Sequence, residues 1–151
     1  MNKFLVAYYS LGGNTEYAAM KIYESIKANG EECDLLPLSK NTNLSKLKII
    51  EYKTVFLGTP SYGKGKAPQP ILRFLRFFIK ENDYTLPPFS CFGTGDTQWG
   101  DFLYCRAVDE IEYHLKNKTN VISKIKIEQR PVNKHQIKNI NSYVTKTLRG
   151  I

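Results

Sequence analysis

Residues 4–15 read FLVAYYSLGGNT, an apolar run that ends in small and polar residues. A continuous run of this length is typical of a strand buried on both faces of a parallel sheet. Apolar and small residues then recur at helical spacing from about Thr15 to Ala28, and Asn29-Gly30 provides a stop signal. The stretch therefore predicts a strand, a short glycine-containing loop and a helix.

The same alternation continues along the rest of the chain. Further strands are predicted at residues 33–38, 54–57, 89–92 and 121–127. Helices are predicted at residues 68–79, 101–116 and 133–148, with a weaker helix or turn at 44–51. This order predicts a single α/β domain over residues 1–151, a doubly wound, five-stranded parallel sheet of order 2-1-3-4-5 with helices on both faces.

Composition excludes several classes of protein. A length of 151 residues fits one domain, and a hydrophobic content of 42% excludes wholesale disorder. The chain has no apolar run of about 18 residues that would predict a membrane span, and its first apolar run is too short for a signal peptide. We therefore expect a cytoplasmic protein, and a monomer. Cys33, Cys91 and Cys105 are odd in number and widely spaced, which fits neither a disulfide framework nor a metal-binding pair.

The net charge of +8 lies entirely in the last quarter of the chain. Residues 113–151 hold nine Lys or Arg residues and one acid, Glu128, whereas residues 1–112 hold 13 basic and 13 acidic residues. The basic segment is either a solvated face or a site for an acidic protein partner. Nucleic acid is a less favoured partner, because no zinc-finger or RNA-binding pattern accompanies the charge.

Three unusual loops follow the first, third and fourth predicted strands, at the edge of the sheet where doubly wound folds bind ligands. The first loop consists of Ser10, Leu11, Gly12, Gly13, Asn14 and Thr15. Its small residues let backbone N–H groups converge beside a helix amino terminus, and its polar side chains add hydrogen bonds. The loop therefore predicts a phosphate site. Because it lacks the GxxxxGK pattern, we expect no nucleoside triphosphate hydrolysis.

The other two loops supply flat aromatic side chains. The second covers residues 58–66 and contains Thr59, Pro60, Ser61, Tyr62, Gly63 and Lys64. The third covers residues 93–102 and contains Thr94, Gly95, Asp96, Trp99, Asp101 and Phe102. Tyr62 and Trp99 can each lie against a planar ligand, and backbone amides near Gly95 and Asp96 can bind a polar ring edge. Together the loops predict a site for a flat heterocycle that carries a phosphate, such as FMN.

In combination, these loops resemble the motifs of the short-chain flavodoxin family. Ser10-x-x-Gly13-Asn14-Thr15-Glu16 resembles the family's phosphate loop. Ser61-Tyr62-Gly63 resembles its Thr-Trp-Gly or Thr-Tyr-Gly loop. Gly93-Thr94-Gly95-Asp96, with Ala107-Val108-Asp109 downstream, resembles its third motif. The resemblance extends from about residue 3 to 148. It implies the flavodoxin-like fold, non-covalently bound FMN, and a role as an electron carrier between redox partner proteins rather than as an enzyme.

The resemblance also implies roles for individual residues. Tyr62 and Trp99 would stack on the flavin ring, and a peptide flip at Gly63–Lys64 would offer a carbonyl oxygen to flavin N5–H on reduction. Two features depart from the family. Gly12 replaces the usual hydroxyl residue of the phosphate loop, so one phosphate hydrogen bond is expected to be missing, and the chain is basic whereas most flavodoxins are strongly acidic.

Two alternatives remain open. Segments at residues 59–63, 68–75 and 99–101 resemble the flavodoxin-like activators of class Ib ribonucleotide reductase (the NrdI family), which implies that reduced FMN supplies an oxidant. Against this, Thr94-Gly95-Asp96 stands where that family usually has Ser-Gly-Asn. The other alternative is a binding module that uses the same loops without flavin. Metal and nucleophilic catalysis are not indicated, since His114 and His135 lack ligand spacing and no Gly-x-Ser-x-Gly motif occurs.

Overall fold

The computed structural model describes residues 3–61, 65–82, 85–100 and 102–150, without the side chain of Trp99. The strands are β1 (Lys3–Tyr8), β2 (Glu32–Pro37), β3 (Thr54–Pro60), β4 (Phe89–Gly95) and β5 (Val121–Glu128). The helices are α1 (Asn14–Ala28), α2 (Gln69–Leu75), α3 (Arg106–Leu115) and α4 (Lys134–Arg149). Shorter helical turns lie at Leu44–Lys46, Ile49–Glu51, Arg76–Glu81 and Thr97–Trp99.

All five strands are parallel, and their order in the sheet is 2-1-3-4-5. The predicted topology is therefore confirmed. Because β1 lies between β2 and β3, the direction in which the chain adds strands reverses at β1. The crevice beyond the carboxyl ends of β1 and β3 is the position at which such sheets bind ligands. In the described part of the chain, no helix is long and apolar enough to cross a membrane.

The apolar run of β1 is explained by burial on both faces of the sheet. Leu5 and Ala7 belong to one hydrophobic cluster, which also contains residues of α2 and α3. Phe4 and Val6 belong to a second cluster, which also contains residues of α1 and α4. Since successive side chains of a strand point to opposite faces, both faces of β1 need apolar residues.

Strands β3 and β4 are longer than predicted. Breaks were expected after Leu57 and Phe92, but β3 continues through Pro60 and β4 through Gly95. Pairing is maintained because Gly58 lies opposite Phe92 and Pro60 opposite Thr94. Proline is tolerated at the end of a strand, where no further ladder bond depends on its missing N–H.

Two helix predictions need correction. Helix α3 begins at Arg106 rather than near Asp101, because residues 102–105 form turns and Cys105 precedes the helix in a left-handed conformation, with φ 48°. The predicted helix at residues 68–79 ends its α-helical part at Leu75 and continues as a π-helical turn. Residues 44–51 form two short 3-10 turns, in agreement with the weaker prediction there.

A buried polar network attaches β5 and α4 to the rest of the sheet. The Ser90 hydroxyl of β4 is hydrogen-bonded to the Tyr143 hydroxyl of α4 and, at 2.5 Å, to the Ser123 hydroxyl of β5. Ser123 lies 2.7 Å from the Thr147 hydroxyl, which donates to the carbonyl oxygen of Tyr143. Burial raises the pKa of Tyr143, so its hydroxyl stays protonated at neutral pH.

We expect Tyr143→Phe to lower the free energy of unfolding by about 1 kcal/mol, because one buried hydrogen bond is lost while Ser90 keeps its bonds to Ser123. Urea unfolding followed by circular dichroism measures this change. Tyr113→Phe is the matched control, since Tyr113 is 65% exposed and its change should stay within about 0.5 kcal/mol. Equal effects of the two substitutions would contradict a stabilising role for the network.

Candidate functional site

The first loop has the geometry of an anion site. Helix α1 begins after Gly13, whose φ is 93° and which provides no side-chain cap. Gly12 also has a positive φ, of 83°. The Ser10 hydroxyl accepts a hydrogen bond from the N–H of Glu16 at 3.0 Å, so its own O–H remains able to donate. The first N–H groups of a helix have no intrahelical acceptor, and of those in α1 the N–H of Glu16 is met by the Ser10 hydroxyl while Gly13 provides no side-chain cap.

Two hydrogen bonds connect the three loops. The hydroxyls of Thr15 and Thr94 lie 2.8 Å apart and are buried, which joins the first loop to the third. The N–H of Ser61 donates to the carbonyl oxygen of Thr94 at 3.1 Å, which joins the second loop to the third. The structure therefore brings the three predicted loops together at one edge of the sheet.

The described part of the second loop has mainly structural contacts. Thr59 is buried, and its hydroxyl donates to the carbonyl oxygen of Pro60. The Ser61 hydroxyl accepts from the N–H of Ala107 at 3.0 Å, in the first turn of α3. The other three residues predicted in this loop lie outside the described residues: Tyr62, Gly63 and Lys64.

The third loop is held by carboxylates. Asp96 accepts from the N–H of Gln98 at 2.9 Å and from its side-chain amide at 2.8 Å. The N–H of Thr97 donates to the carboxylate of Glu128 at 3.0 Å, which ties the loop to the end of β5. The side chain of Trp99 and all of Asp101 lie outside the described residues.

Exposed apolar side chains border the site. Leu11 in the first loop is 64% exposed, and Phe102 in the third loop is 75% exposed. The Arg106 guanidinium lies 4.6 Å from the centre of the Phe102 ring, a cation–π contact. Apolar groups at the mouth of a site suit contact with a ligand or a partner protein better than contact with water.

Glycines in β4 allow the close approach of α3 beneath the third loop. A Cβ atom on Gly93 would lie 2.3 Å from Val108 Cγ2, and one on Gly95 would lie 2.9 Å from the backbone nitrogen of Cys105. Gly95 was predicted to bind a ligand through its backbone, and the structure adds this packing requirement. Burial raises the pKa of Cys105 to about 11, so this thiol is protonated at neutral pH.

One residue at this edge was missed by the sequence analysis. Arg130 follows β5, and its side chain reaches the first loop, where Nε donates to Asn14 Oδ1 and Nη2 to the carbonyl oxygen of Gly12, both at 3.2 Å. The sequence did place Arg130 shortly after the predicted fifth strand. Because all strands of a parallel sheet end at the same edge, this position could have indicated that Arg130 lies near the other loops.

The basic lysines of β5 are partly neutralised. Lys126 Nζ lies 2.7 Å from Asp109 Oδ2, and Lys124 Nζ lies 2.9 Å from Glu112 Oε1. Hydrogen bonding to Glu112 raises the pKa of Lys124. These exposed pairs contribute little to stability but reduce the free positive charge of the sheet edge. Among the described residues, no group of three or more His, Cys, Asp or Glu side chains could hold a metal ion.

Comparison with known proteins agrees with this geometry. Residues 6–142 match the family model for flavodoxin. Probable flavodoxin 2 of Bacillus subtilis (strain 168) is 29% identical over 143 residues, which cover 93% of this chain and 91% of the relative. The structure of oxidised flavodoxin 2 from Bacillus cereus is 25% identical, covers 99% of both chains and superimposes with a TM-score of 0.86.

A more distant structure, the Fusobacterium nucleatum flavodoxin bound to flavin mononucleotide, has 15% identity and a TM-score of 0.76 over 99% of this chain and 98% of its own. These matches favour the flavodoxin interpretation over the NrdI alternative. Flavodoxins are flavin-binding electron carriers rather than enzymes, and they transfer electrons to redox partner proteins. Because the family model matches nearly the whole chain, this protein belongs to the flavodoxin family.

Proposed function

We propose that the flavin of this protein is FMN, bound non-covalently across the three loops at the carboxyl edge of the sheet. The observation that carries the proposal is the start of α1, where Gly12 and Gly13 have positive φ, Gly13 provides no side-chain cap, and the Ser10 hydroxyl accepts only from the N–H of Glu16. A ligand phosphate suits this position, because it accepts N–H hydrogen bonds and interacts favourably with the helix dipole. A flavin without a phosphate would leave these donors to water.

The residues of the first loop fit a phosphate group. The hydroxyl of Ser10 can donate while it accepts from Glu16, and Asn14 has a side-chain amide that can also donate. Thr15 contributes its main-chain N–H, since its hydroxyl is engaged with Thr94. Gly12 has no side chain to donate, so the phosphate is expected to receive one side-chain hydrogen bond fewer here.

Tyr62 and Trp99 remain our candidates for stacking on the ring, and the peptide between Gly63 and Lys64 for a hydrogen bond to its edge. When bound, FMN would supply one- and two-electron redox chemistry, while the loops orient its ring and exclude water from its faces. Leu11 and Phe102 would border the exposed part of the ring, where electrons enter and leave.

We further propose that the redox partners are acidic. Several basic residues of α4 are exposed and belong to none of the ion pairs among the described residues: Lys134, Lys138, Lys146 and Arg149. An acidic partner would be attracted by this charge, and its association rate should fall as salt is added. Stopped-flow electron transfer with an acidic and a basic donor protein, compared at low and high salt, tests which partner charge is preferred. The acidic donor should react faster, and added salt should slow it.

The experiment that tests the cofactor is a titration of the flavin-free protein with FMN and, separately, with riboflavin. We expect FMN fluorescence to be quenched with a dissociation constant in the micromolar range or tighter, and riboflavin to bind more weakly. Protein that neither quenches FMN fluorescence nor changes its visible spectrum would contradict the proposal.

Tyr62→Ala is expected to weaken FMN binding by roughly tenfold or more, because stacking of one aromatic side chain on a heterocycle is worth about 1–3 kcal/mol. The same titration measures the change. Tyr113→Ala is the matched control, since Tyr113 lies on the exposed face of α3, and it should leave the dissociation constant unchanged. Equal affinities of the two variants would exclude Tyr62 as a stacking residue.

A further inference from the structure

Arg130 is held against the first loop by a rigid turn. The turn begins at Gln129, which has a φ of 50° and whose N–H donates to the carbonyl oxygen of Gly95 at 2.8 Å. The N–H of Val132 donates to the carbonyl oxygen of Arg130 at 2.9 Å, and Pro131 is buried. A left-handed conformation at a residue other than glycine is unfavourable by itself, so the surrounding contacts must fix the turn.

The guanidinium of Arg130 contacts α1 and the loop before it at three places. It donates to Asn14 Oδ1 and to the carbonyl oxygen of Gly12, and it lies 5.8 Å from the centre of the Tyr17 ring. The space that it occupies exists because Gly13 lacks a side chain, since a Cβ there would lie 2.8 Å from Arg130 Nη2. The position of the Arg130 guanidinium therefore requires glycine at position 13.

The charge of Arg130 has no described counter-charge. None of the ion pairs among the described residues includes it, and none joins it to Glu16, whose carboxylate accepts a hydrogen bond from the Tyr8 hydroxyl. A guanidinium carries five N–H groups, of which the bonds to Asn14 and Gly12 use two, so three have no partner among the described residues. A cation beside a helix amino terminus is unfavourable, because the positive end of the helix dipole lies there.

A phosphate monoester would provide acceptors both for the Arg130 guanidinium and for the N–H groups at the start of α1 that Ser10 does not cap. We propose that Arg130 binds the phosphate of the flavin and selects the phosphorylated form over riboflavin, in place of the hydroxyl that Gly12 does not supply. This inference rests on the proposed function, since it takes the first loop as the phosphate site. The planar guanidinium can donate two parallel hydrogen bonds to phosphate oxygens while Nε keeps its bond to Asn14.

The test compares the dissociation constants of FMN and riboflavin for the full chain and for Arg130→Gln. Glutamine retains a hydrogen-bond donor but removes the charge. We expect FMN to bind roughly tenfold more weakly to the variant and riboflavin to bind equally well, because a charge-assisted hydrogen bond to phosphate is lost. The FMN affinity of the unchanged protein should also fall more steeply with salt than that of the variant.

Two further variants separate the alternatives. Arg76→Gln removes the same charge from an exposed position just after the end of α2 and should leave both affinities unchanged, which controls for net charge. Arg130→Lys keeps the charge without the planar fork and should retain part of the preference for FMN. If Arg130→Gln weakens both flavins equally, or neither, the inference is overturned. If the unchanged protein binds neither flavin, the proposed function itself fails.

Discussion

Gly58→Ala is expected to lower the free energy of unfolding by about 3 kcal/mol, the upper range for overpacking of a well-filled core. A Cβ on Gly58 would lie 2.1 Å from Phe92 Cζ and 2.3 Å from Cε2. Phe92 is fully buried and lies directly opposite Gly58 in the pairing of β3 with β4, so its ring has no free space to enter. For a chain of this length, the melting temperature should fall by roughly 10 °C.

Urea unfolding measures this effect. The variants must all be flavin-bound or all flavin-free, because a bound ligand itself raises stability. Gly30→Ala is the matched control. Gly30 has a φ of 83° but no atom within 4 Å of an added Cβ, so its cost of about 1–2 kcal/mol is conformational only. Adding Phe92→Leu to Gly58→Ala should recover part of the loss, since the far ring atoms are removed. A Gly58→Ala protein as stable as the parent would show that β3 and β4 can separate locally.

The second large effect concerns the reduction potential of the flavin. Full reduction adds negative charge at the site, so nearby acids lower the potential of the last step and nearby bases raise it. The flanking loops carry Glu16, Asp96 and Asp101 against Lys64 and Lys66, and the structure adds Glu128 as a fourth acid and Arg106 and Arg130 as further bases. The nearby charges therefore balance. We expect the second one-electron potential to be less negative than that of an acidic flavodoxin.

A charge reversal within the chain makes this prediction quantitative. One unit charge at ~10 Å with an effective dielectric constant of ~20 is worth roughly 1.7 kcal/mol, or about 70 mV for one electron. Lys66→Glu changes two units at the exposed second loop and should make the potential more negative by about 100 mV after partial screening by salt. Spectroelectrochemical titration with reference dyes measures the shift.

Lys118→Glu is the control for the redox experiment. Lys118 is exposed in the turn between α3 and β5, at the opposite edge of the sheet, and the same change of charge there should shift the potential very little. Equal shifts for both variants would mean that overall charge, rather than charge beside the flavin, determines the potential.

The sheet could be predicted from the sequence because the pattern of apolar residues follows burial. Strands buried on both faces have continuous apolar runs, and helices buried on one face have apolar residues at helical spacing. The run at residues 4–9 needs two apolar faces, and the structure supplies both. The ends of β3 and β4 could not be predicted in this way. Gly58, Pro60 and Gly93 are usual breakers, but here the glycines lie where Phe92 and Val108 pack, so long-range packing outweighs local propensity.

The sequence indicated the local part of the candidate site, whereas the contribution of Arg130 was missed because it comes from a distant segment. The order of glycines and hydroxyl residues in the first loop indicated an anion site without any knowledge of the fold. The contact of Arg130 with Gly12 joins residues 118 positions apart, and no spacing rule connects them. Thr15 was expected to add a side-chain hydrogen bond to the anion site, but its hydroxyl engages Thr94, and the Ser61 hydroxyl engages Ala107. Both partners belong to distant segments, so local sequence could not indicate them.

Two lysines of the basic segment lie on β5, which is an edge strand of the sheet. β5 is paired on one side only, so its outer row of backbone donors and acceptors could pair with a strand of another molecule. Lys124 and Lys126 lie on one face of this strand and are ion-paired with Glu112 and Asp109 of α3, so a second copy paired with β5 would bring these charged side chains of both molecules together. Charged side chains on an edge strand disfavour such intermolecular sheet growth.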